Sequence, residues 1–252
     1  MKKLLALMLV LSLCVSTALF TACGSSTFKG NYKEATAEEV TTFMAEIAED
    51  GEEIDILAGV KIVIKADMPM GEETMKVDAS MSLAEEEEGK YALTSNYYVK
   101  MGETEADMDV VYKDGVSYTN IKTKGAEAKI KATQDIDDAL ESLEALEMAF
   151  EYDLDMALAM AAQYEGVKIY MDKGEDGTKI KVSGKIEDEG SKGDMELIFV
   201  YNAQNKLIAS SITMNAEMTY EGETVKTSMT ATVEPWSGKI SAPSDASDYL
   251  GF

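Results

Sequence analysis

The sequence predicts an α+β fold: a strongly curved antiparallel sheet of about ten to eleven strands, covered by an N-terminal helix and a long or kinked central helix. Three observations predict it. Residues 133–164, TQDIDDALESLEALEMAFEYDLDMALAMAAQY, form the one long helical pattern, with Ile136, Leu140, Leu143, Phe150, Leu154, Ala157, Leu158 and Ala161 at steps of three and four. Two blocks of period-two alternation flank that stretch. Short turn signals join the strands within each block, which makes neighbouring strands antiparallel. The helix has one face to bury, and a sheet built from both blocks is the simplest surface to cover it.

The chain opens with a basic start (Lys2, Lys3), an apolar run from Leu4 to Phe20, and then Thr21-Ala22-Cys23-Gly24. The spacing predicts a bacterial secretory signal over 1–22, cleaved before Cys23, with an uncleaved signal anchor as the alternative. Ser25, Ser26 and Thr27 read as polar tether, so 23–30 is a short link and 31–252 a single domain. Thr36-x-x-Glu39 is a capping box, followed by Val40, Phe43, Met44 and Ile47 at helical spacing and by Gly51, which predicts a helix over about 36–50.

From Ala58 the period becomes two. Val60 to Met68 and Met75 to Leu83 alternate around a break at Pro69 to Glu73; Tyr91 to Val99, Ala106 to Tyr112 and Val116 to Asn120 follow, the last two joined at Asp114-Gly115. A weaker strand is expected near 128–132. The central pattern of about 30 residues would span roughly 45 Å if straight, so a kink or two consecutive helices is expected at Glu151-Tyr152-Asp153, within about 134–164. The second block places strands at 167–171, 178–186, 195–201, 207–220 and 224–234, with turns at Asp176-Gly177, Gln204-Asn205 and Glu221-Gly222. Asp172 to Gly177 resembles the start of a calcium loop, but Gly174 and Ser183 stand where ligands belong, so it reads as a hairpin turn.

Composition excludes several functions. The formal charge of -24, which becomes -26 without Lys2 and Lys3, rules out nucleic acid, whose binding needs a basic patch. The chain has no histidine, and of its 2 cysteines Cys14 leaves with the signal while Cys23 is modified, so neither a triad base nor a free thiol nor a disulfide is expected. Carboxylate pairs such as Asp107 and Asp109 arise by chance in so acidic a chain. The expectation is a non-enzyme with no cofactor and no metal.

The order of signal with lipobox, short helix, strand meander with the Val111 to Tyr118 hairpin, acidic helix, long hairpin Tyr201 to Tyr220 and terminal Ile240-Ser241-Ala242-Pro243 resembles the LolA-type and LppX/LprG-type lipoproteins, and most of all their Gram-positive small-lipoprotein relatives. The resemblance covers about 36–249. It implies lipidation of Cys23, an open antiparallel half-barrel covered by helices on its apolar concave side, and lipid or acyl chains held there. Phe20 replaces the Leu the lipobox prefers.

Methionine is the compositional oddity: 17 in all, 15 once Met1 and Met8 are removed. Its flexible thioether suits surfaces that fit irregular apolar ligands, while the plainer role is ordinary core. The candidate ligand face is Met75, Val77, Met81, Leu93, Met108, Leu143, Phe150, Leu154, Ile212, Met214, Met218 and Met229. The function expected is a membrane-anchored extracytoplasmic lipoprotein, monomeric, that binds an acyl lipid between sheet and helices. The alternative is a surface interaction or envelope-structural lipoprotein with a filled core, whose protein partner the sequence does not name.

Overall fold

The computed structural model describes residues 26–47, 54, 59–70, 73–136, 154–188, 191–220 and 223–251. The signal, Cys23 and residues 137–153 of the central pattern, with Leu143, Phe150 and the expected kink, lie outside them.

The described strands form one open 13-stranded sheet. The eleven long strands are β2 (Val60–Met70), β3 (Glu73–Glu87), β4 (Lys90–Met101), β5 (Thr104–Lys113), β6 (Val116–Thr123), β7 (Ala126–Thr133), β8 (Val167–Gly174), β9 (Gly177–Asp188), β10 (Ser191–Asn202), β11 (Leu207–Tyr220) and β12 (Glu223–Pro235). Two-residue strands cap the edges: β1 (Lys33–Glu34) on β8, and β13 (Leu250–Gly251), parallel to β7. The expected ten to eleven strands become thirteen because two residues are too few to show a period. The weak strand near 128–132 is real and longer than expected.

Each block is a meander, and β12 pairs antiparallel with β2 to join the two into one sheet. β2 runs through Pro69, where a break was expected. The β12 ladder stops at Asp67, so Pro69 lies on a locally free flank where a missing N–H costs little. Asp114 and Gly115 both have positive φ (52° and 77°), as a two-residue hairpin requires. Gly177 cannot be replaced easily, since its φ is 135° and a Cβ there would lie 2.0 Å from the Tyr201 carbonyl oxygen.

Helix α1 (Ala37–Met44) starts at the expected capping box: the Glu39 amide donates to Thr36 Oγ1 (3.2 Å) and the Thr36 amide to Glu39 Oε2 (2.8 Å). It is shorter than the 36–50 expected. The amides of Glu46 and Ile47 donate to the carbonyls of Phe43 and Met44, three residues back, and this tighter turn ends the α-helix well before Gly51. α1 buries Val40 and Phe43, and the Phe43 ring meets Tyr201 edge-on at 5.1 Å. Helix α2 (Leu154–Gln163) lies against β8 and β9 and buries Leu154 and Ala157. Its link to β8 passes so close to the sheet that a Cβ on Gly184 would lie 2.0 Å from the Gly166 carbonyl oxygen.

Both described chain ends fold back on the other face of the sheet. Phe28 and Tyr32 pack on Ile198, Val200, Ile208 and Ala209. Near the C-terminus Tyr249 meets Tyr118 edge-on at 5.5 Å, and Asp245 pairs with Lys129 at 2.6 Å.

Candidate functional site: one apolar face in cross-strand rows

Strand registers set the inward side chains in rows that cross the sheet. Successive residues of a strand alternate faces, so each row lies two residues along from the next. Row one contains Tyr201, Val60, Leu83, Leu93 and Tyr112; row two Ile180, Phe199, Ser210, Val233, Ile62, Met81, Ser95 and Val110. Row three contains Val182, Leu197, Ile212, Ala231, Ile64, Ala79, Tyr97, Met108 and Ile121. Branched and aromatic side chains dominate these three.

Row four changes character: Gly184, Met195, Met214, Met229, Ala66, Val77, Val99 and Ala106. Row five has Ile186, Gly193, Ala216 and Thr227 on one side, then Met68, Met75 and Met101. Row six includes Met218 and Met70. Two runs of adjacent methionines, Met195-Met214-Met229 and Met68-Met75-Met101, with Gly and Ala beside them, thus fill one end of the face. Rows two to five contain no charged residue across β8 to β12 and β2 to β7. Buried Ser95, Ser210 and Thr227 interrupt an otherwise apolar surface, and a face that broad without charge fits an apolar ligand or a core.

Exposure separates the two ends. Leu83, Leu93, Ile62, Ile180, Leu197 and Val233 are fully buried. Toward the methionine end of β2 to β6, Met68, Met75, Tyr97, Val99, Ala106, Met108 and Ile121 are only half-buried, and Met70 and Met101 are 46% and 40% exposed.

The expected site residues fall on this one face. Leu93 is in row one, Met81 in row two, Met108 and Ile212 in row three, Val77, Met214 and Met229 in row four, Met75 in row five, and Leu154 faces them from α2. Met218 lies in row six by its pairing with Ser191 and Val225. Met218 aside, they belong to one continuous apolar cluster that reaches four rows, from Leu93 to Met75, with Met75 and Met108 on its half-buried margin. Sequence reasoning missed Met68, Met101 and Met195 and the small residues Ala66, Ala106, Gly193 and Ala216 beside them. Alternation gives the face of each, but only the register shows that they adjoin.

The outer face behind the methionine end is ionic. Lys65 pairs with Asp78 (2.9 Å), and Glu217 on β11 lies between Lys192 of β10 (2.7 Å) and Lys226 of β12. Hydrogen bonds from Lys192 and then Lys226 hold the Glu217 carboxyl down at about 2.

Comparison with protein-family models finds no match, and comparison with curated proteins finds none either. Three solved structures are similar in outline. LprF from Mycobacterium bovis is 14% identical with a TM-score of 0.32, covering 84% of this chain and 98% of its own. An S-type phycobiliprotein lyase from Guillardia theta is 9% identical, TM-score 0.21, covering 81% of this chain and all of its own. An outer membrane lipoprotein-sorting protein domain from Vibrio parahaemolyticus is 9% identical, TM-score 0.20, covering 81% of this chain and 93% of its own. The first and third are of the lipoprotein types that the sequence resembles.

Proposed function

We propose that this chain is a lipid-anchored extracytoplasmic lipoprotein that holds an acyl chain or similar apolar ligand on the methionine end of its sheet, under the helices of a half-barrel. The observation that carries the proposal is the half-exposed patch of Met68, Met75 and Met101 in row five, backed by the buried methionines of row four and flanked by half-buried Ala106, Gly193 and Ala216. Branched side chains have stiff rotamers and pack to a fixed shape. Thioethers conform to whatever lies against them, and the Ala and Gly positions beside them leave room for it. Cys23 provides the anchor and two acyl chains there are enough for stable attachment. The domain binds rather than catalyses, as a monomer.

The test uses the soluble chain from Gly24 onward, which keeps every described residue. Native mass spectrometry followed by solvent extraction is expected to find an acyl species at a fixed ratio. Met75→Glu places a carboxylate on the half-exposed row and should reduce that retention at least tenfold without unfolding the protein. A clean apo mass for the wild-type chain, even after incubation with mixed lipids, would favour the interaction protein with a filled core. Retention unchanged by Met75→Glu would move the ligand elsewhere.

A further inference from the structure

The registers place Met68, Met75 and Met101 side by side on β2, β3 and β4, as direct partners on one face. Directly opposed residues have Cβ atoms about 4.5–5.5 Å apart. The unbranched side chains of the outer two can therefore lean over the middle one and converge three thioether sulfurs on a single point. Two other features set this trio apart from packing. Met195, Met214 and Met229 also share a row, yet they are 4%, 3% and 2% exposed and serve as core. Met68 and Met75 are only half-buried, while Met101 is 40% exposed, so an ion from solvent can reach them. The Glu73 carboxylate overhangs the turn after Met101, so closely that a Cβ on Gly102 would lie 2.4 Å from its Oε1, and brings a negative charge to the rim of the trio.

We propose that Met68, Met75 and Met101 form a site for a soft monovalent cation, copper(I), bound by three thioethers with Glu73 balancing its charge. Thioethers are soft donors that select copper(I) over zinc, magnesium or calcium. No imidazole competes for the ion, because the chain has no histidine, and the described residues include no cysteine and no three Asp or Glu side chains that gather as a metal site. Binding needs no change of oxidation state, since the ion enters and stays as copper(I). The site does not depend on acyl binding, although it shares the face.

The experiment titrates the chain from Gly24 onward, which keeps every described residue and has no cysteine, without oxygen, with copper(I) supplied as its acetonitrile complex against a chromogenic chelator. Silver(I) serves as a redox-inert check. One ion per chain is expected, with affinity at least tenfold weaker in the triple variant M68L/M75L/M101L and weakened in M75L alone, whereas M81L on the same face keeps the wild-type value. Leucine keeps the surface apolar and nearly the same volume, so folding should survive. Copper(I) uptake by wild-type chain that has been extracted free of acyl species separates the two proposals. Unchanged stoichiometry and affinity in the triple variant, no copper(I) taken from the chelator, or equal uptake of zinc would overturn this one.

Discussion

The two ends of the same strands are built differently, and they are built differently on both faces. At the branched end the inner side chains are fully buried Leu, Ile, Val and aromatics, α1 presses Phe43 onto Tyr201, and the outer face is covered by Phe28 and Tyr32 on one side and by Tyr249 on the other. At the methionine end the inner face is thioethers and small residues, half of them open, and the outer face is lysine–carboxylate pairs. Exposed ion pairs contribute little and are screened by salt, whereas burial is the main stabilising term. One end therefore holds the fold while the other is free to adapt. The same continuous hydrogen-bonded strands run through both, so the adaptable end gains a rigid backbone without a rigid filling.

The largest effect expected from this contrast is in truncation. Leu93→Ala in row one should cost about 3 kcal/mol, the transfer term plus an uncollapsed cavity. Met75→Ala, four rows away on the neighbouring strand, should cost less than about 1 kcal/mol, because its side chain is already half in water and its neighbours can shift. Urea unfolding of the two variants measures both. Equal losses would mean the methionine end is as tightly packed as the other, and the contrast would collapse.

Much of this was legible in the sequence for a plain reason. A strand that buries one face must alternate, so the long strands and their faces could be read directly, and the Thr36-x-x-Glu39 box gave the start of α1 to the residue. The two edge strands could not be read, because Lys33-Glu34 and Leu250-Gly251 are too short to alternate. Rows were also hidden. Met68, Met75 and Met101 are spread over 34 positions of sequence and become neighbours only when β2, β3 and β4 take their registers. That register depends on hairpin geometry and on the shared face, and both act across strands. Phe28 falls in a segment read as polar tether, and its burial depends on Ile198 and Val200, far along the chain, which no local pattern announces.

A middle-sized effect sharpens the same contrast from the side of the cover. Thr36→Ala removes the hydroxyl that caps α1 and should cost about 1 kcal/mol. The loss should be local. α1 rests on the branched end, through Phe43 on Tyr201 and through its last turn, where Asn205 Nδ2 donates to the Glu46 carbonyl at 3.1 Å. Amide exchange should therefore quicken around 199–207 and stay unchanged over 73–101. Faster exchange across 73–101 as well would show that the two ends open together.

The smallest effect tests the ionic backing of the methionine end. Glu217 has a folded carboxyl value of about 2 against an ordinary 4.5, set first by its hydrogen bond from Lys192 and then by that from Lys226. A depressed carboxyl stabilises the fold above its unfolded value and loses that contribution as pH falls through the folded one. Wild-type stability should accordingly include a component that fades between pH 4.5 and about 2. Glu217→Gln lacks it at every pH, so its thermal midpoint should be slightly lower at neutral pH and should fall less steeply over that window. High salt should shrink the difference between the two proteins, because the group is open to solvent. If the acid limbs of the two proteins superimpose, the Lys192–Glu217–Lys226 triad does not tie β10, β11 and β12 together, and the backbone ladder alone holds the methionine end in place.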